Sequence, residues 1–359
     1  YNIFFGMYSI TLVTMDNSKQ LRLINDISTD SLIGDRFKDV VITYPERCAV
    51  QTTRETWTYQ QLNEVSQSIA VLINDLCDPG KVPVALMLEP SPELFACMLG
   101  IVKTGNMYVC LDPNDRTTRP KDILDHCGAI IVLTNEKHEL RTVEITTDKV
   151  RIIKTSESPT LQKDFTSNTF ESGTHYCIIY TSGTTGISKG VLRNHKGLML
   201  HIQHYTYIME LTANDRIALV HSPTYANAVA DIYGALLNGA CLCPFDIHSH
   251  GISAFIEFMR VQRITVLHTT PSLFRTLARH INHRNELPKL RVIKLGGEAV
   301  HLDDVDLFRS SFPPECMLVN GLGMTEVSGS LCYYKIQYNT QIKTPTVPVG
   351  YPVDKRKLV

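Results

Sequence analysis

The sequence predicts an α/β protein built from repeated βα units, forming two packed, mostly parallel sheets covered by helices, with additional β structure toward the carboxyl end. Three observations lead there. Short apolar runs alternate with stretches of helical spacing along most of the chain. Runs such as "VPVALML" are apolar throughout, as in strands buried on both faces. Gly-rich turns follow several of these runs, at the strand ends where open α/β sheets place their ligands.

The elements follow in order. "TWTYQQLNEVSQSIAVLINDL" starts on threonine and carries Leu62, Val65, Ile69, Leu72 and Ile73 at helical spacing. After the strand "VPVALML" come the helical "SPELFACMLGIVKTG", the strand "MYVCLDP", the helical "KDILDHCG" and the strand "AIIVLT". The same alternation runs through "RIALVHSP", "AVADIYGALLNGA", "CLCPF", "ISAFIEFMRVQR", "ITVLHTTP", "SLFRTLARHI", "LRVIKLGGEAV", "DDVDLFRSSF" and "CMLVNGLG". Repeated units of this kind imply parallel sheets covered by helices. The opening "YNIFFGMYSITLVTM" is near-alternating, which suits a strand. It is broken by Asn2, Ser9 and Thr11, lacks a basic start and is too short to span a bilayer. Residues 1–30 are therefore read as an amino-terminal extension outside this fold, of the kind a preceding domain would leave.

Composition narrows the function. With 43% hydrophobic and 20% charged residues in 359, the chain is neither disordered nor fibrous. A net charge of -1 with no long Lys/Arg block argues against a nucleic-acid partner. The ten cysteines are scattered singly apart from Cys241 and Cys243, and no CxxC occurs. Neither a zinc site nor a disulfide framework is signalled, so a reducing cytoplasm is expected, with no membrane partner. The histidine pairs His201/His204, His248/His250 and His280/His283 would need further converging ligands to hold a metal.

The stretch that carries chemistry is "YCIIYTSGTTGISKG", a strand from Tyr176 to Tyr180 running into a Gly, Ser and Thr-rich turn. Gly183, Gly186 and Gly190 let several backbone N–H groups point into one concavity, a nest for an anion. Thr181, Ser182, Thr184 and Thr185 add hydroxyl donors, and Lys189 adds a mobile positive charge. Together they suit a polyphosphate. The turn is not a Walker loop: counted from Gly183, the second glycine would fall on Ser188, and Lys189 is followed by Gly190 where that motif needs Ser or Thr.

"YTSGTTGISKG" resembles the phosphate loop of the adenylate-forming superfamily, which comprises acyl-CoA synthetases, aryl-acid ligases, luciferases and the adenylation domains of nonribosomal peptide synthetases. Further motifs follow in the family's order. "WTYQQLNEVSQSIAVLI" resembles the early helix motif and "GIVKTGNMYVCLDP" the segment after it. His195 in "VLRNHKG" matches the histidine that follows the loop, "LGGEA" the Gly-Gly-Glu turn beside adenine, "VNGLGMTE" the Thr-Glu motif and "VPVGYPV" the end of the large subdomain. "YGALLNGA" leans toward the peptide-synthetase branch.

The resemblance covers roughly residues 31–354 and implies the large amino-terminal subdomain of such an enzyme, with 355–359 as a tail. It implies ATP-dependent formation of an acyl adenylate with loss of pyrophosphate, then transfer to the phosphopantetheine thiol of a carrier protein or to coenzyme A. Lys189, Thr325 and Glu326 would be catalytic, with Glu326 holding Mg²⁺. Gly296, Gly297, Glu298, Leu322 and Gly323 would lie against adenine, and Leu322 replaces the family's stacking tyrosine. The acid would sit among Tyr225, Ala226, Asn227, Ala230, His268, Ile293, Leu295, Gly321, Gly329 and Ser330.

Ala226 stands where amino-acid-activating domains carry the aspartate that pairs with the α-ammonium. A buried ammonium without a counter-charge costs several kcal/mol, so the expected substrate lacks an α-amino group: an α-keto, α-hydroxy, aryl or short acyl acid. Asn227 and His268 would bond a polar substituent, or else Asn227 shapes its turn and His268 is a satisfied strand-end histidine. The family's later ribose-binding aspartate and its small carboxyl-terminal domain with a lysine have no counterpart here, so this chain alone is expected to adenylate poorly. Two rival readings remain, a free-standing acyl- or aryl-CoA ligase and a noncatalytic scaffold that packs against neighbouring synthetase domains. The retention of Lys189, Thr325 and Glu326 argues against the second.

Overall fold

The structure, a computed structural model, describes residues 2–5, 8–11, 27–78, 82–157, 165, 170–181, 189–327, 329–344 and 346–353. The chain divides into two compact units. One comprises Ser28–Leu200 and Ser222–Val229, the other Tyr1–Ile27, His201–His221 and Ala230–Val359. At the amino terminus β1 (Asn2–Phe5) and β2 (Tyr8–Thr11) pair antiparallel.

The first unit opens with α1 (Ile33–Thr43), the antiparallel hairpin β3 (Cys48–Gln51) and β4 (Thr56–Thr58), and α2 (Tyr59–Leu76). A capping box starts α2: the Thr58 hydroxyl accepts the Gln61 N–H, and the Gln61 side chain accepts the Thr58 N–H. There follow β5 (Pro83–Met87), α3 (Pro92–Lys103), β6 (Met107–Leu111), α4 (Arg119–Cys127), β7 (Ile131–Thr134), α5 (Glu139–Ile145) and β8 (Arg151–Lys154). The hairpin β9 (His175–Thr181) and β10 (Lys189–Asn194) completes a sheet of order β10-β9-β6-β5-β7-β8, parallel except for β9–β10. As the apolar runs require, β5, β6 and β7 are buried along almost their whole length.

The second unit takes over within α6 (His195–Met209) and continues with β11 (Arg216–Leu219), α7 (Ala226–Leu236) from Ala230 onward, β12 (Cys241–Pro244), α8 (Ile247–His250) and α9 (Ile252–Val261). Then come β13 (Val266–Thr269), α10 (Pro271–His280), β14 (Val292–Gly296), α11 (Leu302–Ser311), β15 (Met317–Met324), β16 (Gly329–Ile336) and β17 (Tyr351–Pro352). Its strands run in the order β12-β11-β13-β14-β15-β16-β17, parallel from β12 to β15 and antiparallel thereafter. The amino ends of three of these strands are tied to Asp215. Its carboxylate accepts from Arg291 at 2.8 and 2.7 Å and from the Thr265 hydroxyl at 2.7 Å, beside its own strand β11. Burial raises the Asp215 pKa, but the bonds from Arg291, Thr265 and Thr212 outweigh it and leave the group below its ordinary value. No helix among the described residues is long and apolar enough to cross a membrane.

The strand–helix alternation read from the sequence is therefore found in both sheets. The β9–β10 hairpin and α6 lie outside that alternation. In the first unit α2 and α3 approach so closely that a side chain at Gly100 has no room: a Cβ there would lie 2.7 Å from the Ser66 carbonyl oxygen and 2.8 Å from the Ile69 Cβ. A mid-helix glycine costs about 1 kcal/mol relative to alanine, and close packing explains why it is kept. Replacing Gly100 by alanine is expected to destabilise the protein by about 1–3 kcal/mol through overpacking, despite the gain in helix propensity. Urea unfolding measures it, and an unchanged or raised midpoint would show that the two helices can separate freely.

Candidate active site

The segment expected to cradle phosphate bridges β9 and β10, which pair antiparallel with Thr181 opposite Lys189. Thr181 is half-buried and Lys189 exposed at the two strand ends, while Ser182, Gly183, Thr184, Thr185 and Gly186 lie outside the described residues. Gly190 is small for a packing reason, since a Cβ there would come within 3.1 Å of the Tyr180 ring. His195, the first residue of α6, is fully buried in this unit. Its Nδ1 accepts the Ile33 N–H at 3.2 Å, and its ring lies against Phe170 and Tyr176. Burial lowers its pKa to about 4, so it is a neutral ring docking the start of α1. Tyr225 is exposed, Ala226 and Asn227 are half-buried at the start of α7, and the Tyr225 carbonyl accepts the Ala228 N–H.

In the second unit the adenine-type turn follows β14 directly. Gly297 has φ +87°, a conformation that favours glycine, and the Glu298 carboxylate accepts from the backbone N–H and hydroxyl of Ser272 in the first turn of α10, at 3.0 and 2.6 Å. Leu322 is half-buried and Gly323 exposed near the end of β15, with Thr325 and Glu326 in the 3₁₀ turn that follows; Thr325 is half-buried and Glu326 exposed. Gly329 has φ +144°, and a side chain there would run into the His201 ring. Ser330 and Ala230 are buried.

Parallel pairing sorts the expected acid-binding residues. His268 on β13 is level with Lys294 on β14, and Gly296 with Gly321 on β15. Successive side chains of a strand point to opposite faces. His268, Lys294 and Gly321 consequently share one face, and Ile293 and Leu295 take the other. A Cβ on Gly321 would lie 3.1 Å from the Lys294 Cε, and one on Gly296 would lie 3.7 Å from both the His268 Nε2 and the Lys294 Nζ.

On the shared face stands a buried polar chain. The Tyr205 hydroxyl donates to an Asp231 oxygen at 2.7 Å, His268 Nδ1 lies 3.1 and 3.2 Å from the two oxygens of that carboxylate, and Lys294 Nζ is 2.7 Å from His268 Nε2. Asp231 is 0% exposed, His268 1% and Lys294 4%. Burial, with the nearby Lys294 charge, holds His268 well below its ordinary pKa. A neutral ring with Nδ1–H donating to the carboxylate and Nε2 accepting from the ammonium satisfies both neighbours. Burial raises Asp231 to about 7 against the opposing pull of His221, Tyr205 and Lys294, and it lowers Lys294 to about 8 although Asp231 favours its charge. His221, just beyond β11, packs edge-on to His268 at 4.9 Å, and burial pulls it down to about 3. His221, Asp231 and His268 also form a group whose donor atoms lie within 4.8 Å of one another.

His268 is thus the partnered histidine of the two alternatives, held between a carboxylate and an ammonium. Tyr205, His221, Asp231 and Lys294 went unnoticed in the sequence. Two signals were available: Lys294 is the one charged residue inside the apolar strand "VIKLG", and Asp231 the one charged residue inside the apolar helix "ANAVADIYGAL".

Residues 37–358 match the family described as AMP-binding enzyme. The chain belongs to that family. It is similar to bacitracin synthase 3 of Bacillus licheniformis, 30% identical over 314 residues that make up 84% of this chain and 5% of that protein. It is also similar to gramicidin S synthase 2 of Aneurinibacillus migulanus, 26% identical over 96% of this chain and 8% of that protein. The chain therefore spans a small part of the length of these relatives. Among solved structures, the nonribosomal peptide synthetase FmoA3 shares the fold at TM-score 0.82 and 22% identity, over 92% of this chain and 35% of that one. The Klebsiella oxytoca NpsA N-terminal subdomain, solved with 3-hydroxybenzoyl-AMSN, does so at TM-score 0.78 and 22% identity, over 90% and 80%.

The polar chain has a pH signature. Because the folded Asp231 pKa of about 7 lies above the ordinary 3.8, the folded state binds its proton more tightly. The stability this confers is complete below pH 3.8 and is lost as pH rises toward 7. Between pH 4.5 and 7, roughly, the unfolding midpoint of the wild type is expected to fall relative to that of Asp231→Asn. Parallel midpoints across that window would show that the carboxylate is not desolvated as described.

Proposed function

We propose that this chain activates a carboxylic acid as its acyl adenylate and passes the acyl group to the phosphopantetheine thiol of a carrier protein. The observation that carries the proposal is the family match over residues 37–358, with Lys189, Thr325 and Glu326 standing at the motif positions that handle phosphate. In the reaction a carboxylate oxygen bonds to the α-phosphorus of ATP while the bond to the pyrophosphate oxygen breaks. Negative charge must be met by groups already in place. Lys189, exposed at the start of β10, supplies a mobile cation, and the Thr325 hydroxyl supplies a donor to the α-phosphate. The exposed Glu326 carboxylate is the hard oxygen ligand that Mg²⁺ takes. When bound, that ion neutralises phosphate charge. With Leu322 in place of an aromatic ring, adenine is held by apolar contact and by the Gly296–Gly297 turn.

The acid lacks an α-amino group, because Ala226 offers an ammonium no counter-charge. The carrier-protein acceptor follows the likeness to synthetases, with neighbouring synthetase domains as the other partners.

Pyrophosphate exchange with the full-length protein tests the reading. Keto, hydroxy, aryl or short acyl acids should drive exchange better than any α-amino acid, and Ala226→Asp should raise the response to amino acids. Glu326→Gln should cut exchange by about 100-fold or more, since the Mg²⁺ that Glu326 would hold would supply several kcal/mol of charge neutralisation. An α-amino acid as the best substrate would refute the Ala226 argument, and no exchange with any acid would refute adenylation itself.

A further inference from the structure

Lys294 is an ammonium with three N–H donors, and the described residues offer it one hydrogen-bond acceptor, His268 Nε2 at 2.7 Å. Its remaining surroundings are aromatic: Nζ lies 5.8 Å from the centre of the Tyr205 ring and 5.9 Å from that of Tyr333. A lysine that is 4% exposed cannot fill its other donors from bulk water, and an unfilled buried donor costs about 1–3 kcal/mol. Beside this lysine the strands carry Gly296 and Gly321, so the volume next to its Cε and Nζ holds no side chain from either position. A second polar atom nearby is also without a partner, His221 Nε2, on the ring packed edge-on to His268. The unfilled donors of Lys294 and the unpartnered His221 Nε2, both against the His268 ring, call for a polar atom that the described residues do not supply.

We propose that Lys294 is a specificity-determining residue whose ammonium, oriented by the Tyr205–Asp231–His268 chain, donates a hydrogen bond to an uncharged oxygen, keto or hydroxyl, on the acyl portion of the acid being activated. The inference rests on the acid-activating function proposed above and narrows its substrate class. Charge selects a neutral oxygen over a second carboxylate. With Asp231 ionised, it and Lys294 balance each other, so a further anion would leave the buried face with net charge. A cation in place of the substrate oxygen is disfavoured by the same geometry. A metal taken by His221, Asp231 and His268 would need Nδ1 of His268, leaving its Nε2 to carry a proton against the ammonium 2.7 Å away. Asp231, His268 and Tyr205 act through Lys294 and are positioning residues.

The test is the binding of non-hydrolysable acyl-sulfamoyl-adenosines to the full-length protein, in pairs that share a carbon skeleton and differ by one oxygen: 2-oxo, 2-hydroxy, 3-hydroxy or ring hydroxyl against the parent acyl group. The wild type should bind at least one oxygenated member about tenfold or more tightly than its parent, the scale of a hydrogen bond to a charged group. Lys294→Met should abolish that ratio while leaving the parent's affinity within about threefold, less than one such bond is worth. Because removing the lysine alone strands a buried carboxylate, Asp231→Asn/Lys294→Met provides a neutral counterpart that should fold and show the same loss of discrimination. Equal affinities within every pair, or a ratio that survives in the double variant, would overturn the role of Lys294 with the adenylating function intact. Failure of all the mimics to bind would instead count against that function and, with it, this inference. Stoichiometric Zn²⁺ binding to the wild type that is lost in His221→Ala would also overturn it, by showing the cluster to be a metal site.

Discussion

The parallel pairing of β11, β13, β14 and β15 is the constraint on which the second unit's chemistry depends. Parallel strands share one direction, so their carboxyl ends meet along one edge. His221 lies just beyond β11, His268 near the end of β13, Gly296 at the end of β14, and Gly321 through Met324 in the last part of β15. A one-residue slip between β13 and β14 would turn Lys294 away from His268 and bring Ile293 or Leu295 beside it. At the opposite, amino ends Asp215 takes bonds from Arg291 and Thr265, tying β11, β13 and β14 in that alignment. One end of the sheet carries the clamp and the other the residues proposed to meet the substrate.

Burying a carboxylate and an ammonium together is not a cheap way to hold a core, because the desolvation of each can exceed their attraction. Here the two do not touch. A neutral imidazole stands between them, donating to one and accepting from the other, and Tyr205 fills a further acceptor site on Asp231. The arrangement gives every member of the chain a partner, while Lys294 keeps donors that no described residue fills and has glycine on the strands beside it at 296 and 321. Well-packed apolar residues would stabilise the core more simply. The retained charges make sense as orientation of a donor, with stability secondary.

Much of the fold was legible because period and length carry it: the apolar runs from "VPVALML" to "CMLVNGLG" each contain a strand, and the helical stretch read from Thr56 holds α2, which starts two residues later on the Thr58 cap because Thr56–Thr58 form β4. The β9–β10 hairpin was less legible, since its turn chemistry reads equally as a phosphate loop and its pairing is a non-local fact. The family's motifs single out Lys189, Thr325 and Glu326 as candidates because such patterns are local in sequence. The polar chain was not legible. Tyr205, Asp231, His268 and Lys294 are spread over some ninety positions, 205 to 294; strand register aligns His268 with Lys294, and only the packing of α6 and α7 brings Tyr205 and Asp231 to them. A carried-over pocket also names positions without assigning faces, so Ile293, Leu295 and His268 stood as equals until alternation along β13 and β14 separated them.

Two local facts constrain the acid independently. On the proposed reading, Ala226 removes the anion that an amino acid's ammonium would need, and Lys294 adds a cation that no described carboxylate touches directly. Losing a negative partner and presenting a positive donor both disfavour an α-ammonium, and the second attracts an oxygen. Either feature alone has a bland explanation, alanine as a small residue opening a helix and lysine as one end of a buried network. They occur in separate compact units, at 226 and at 294, and no packing argument made for one requires the other. On the proposed reading, an acid bearing oxygen instead of nitrogen suits each of them taken by itself.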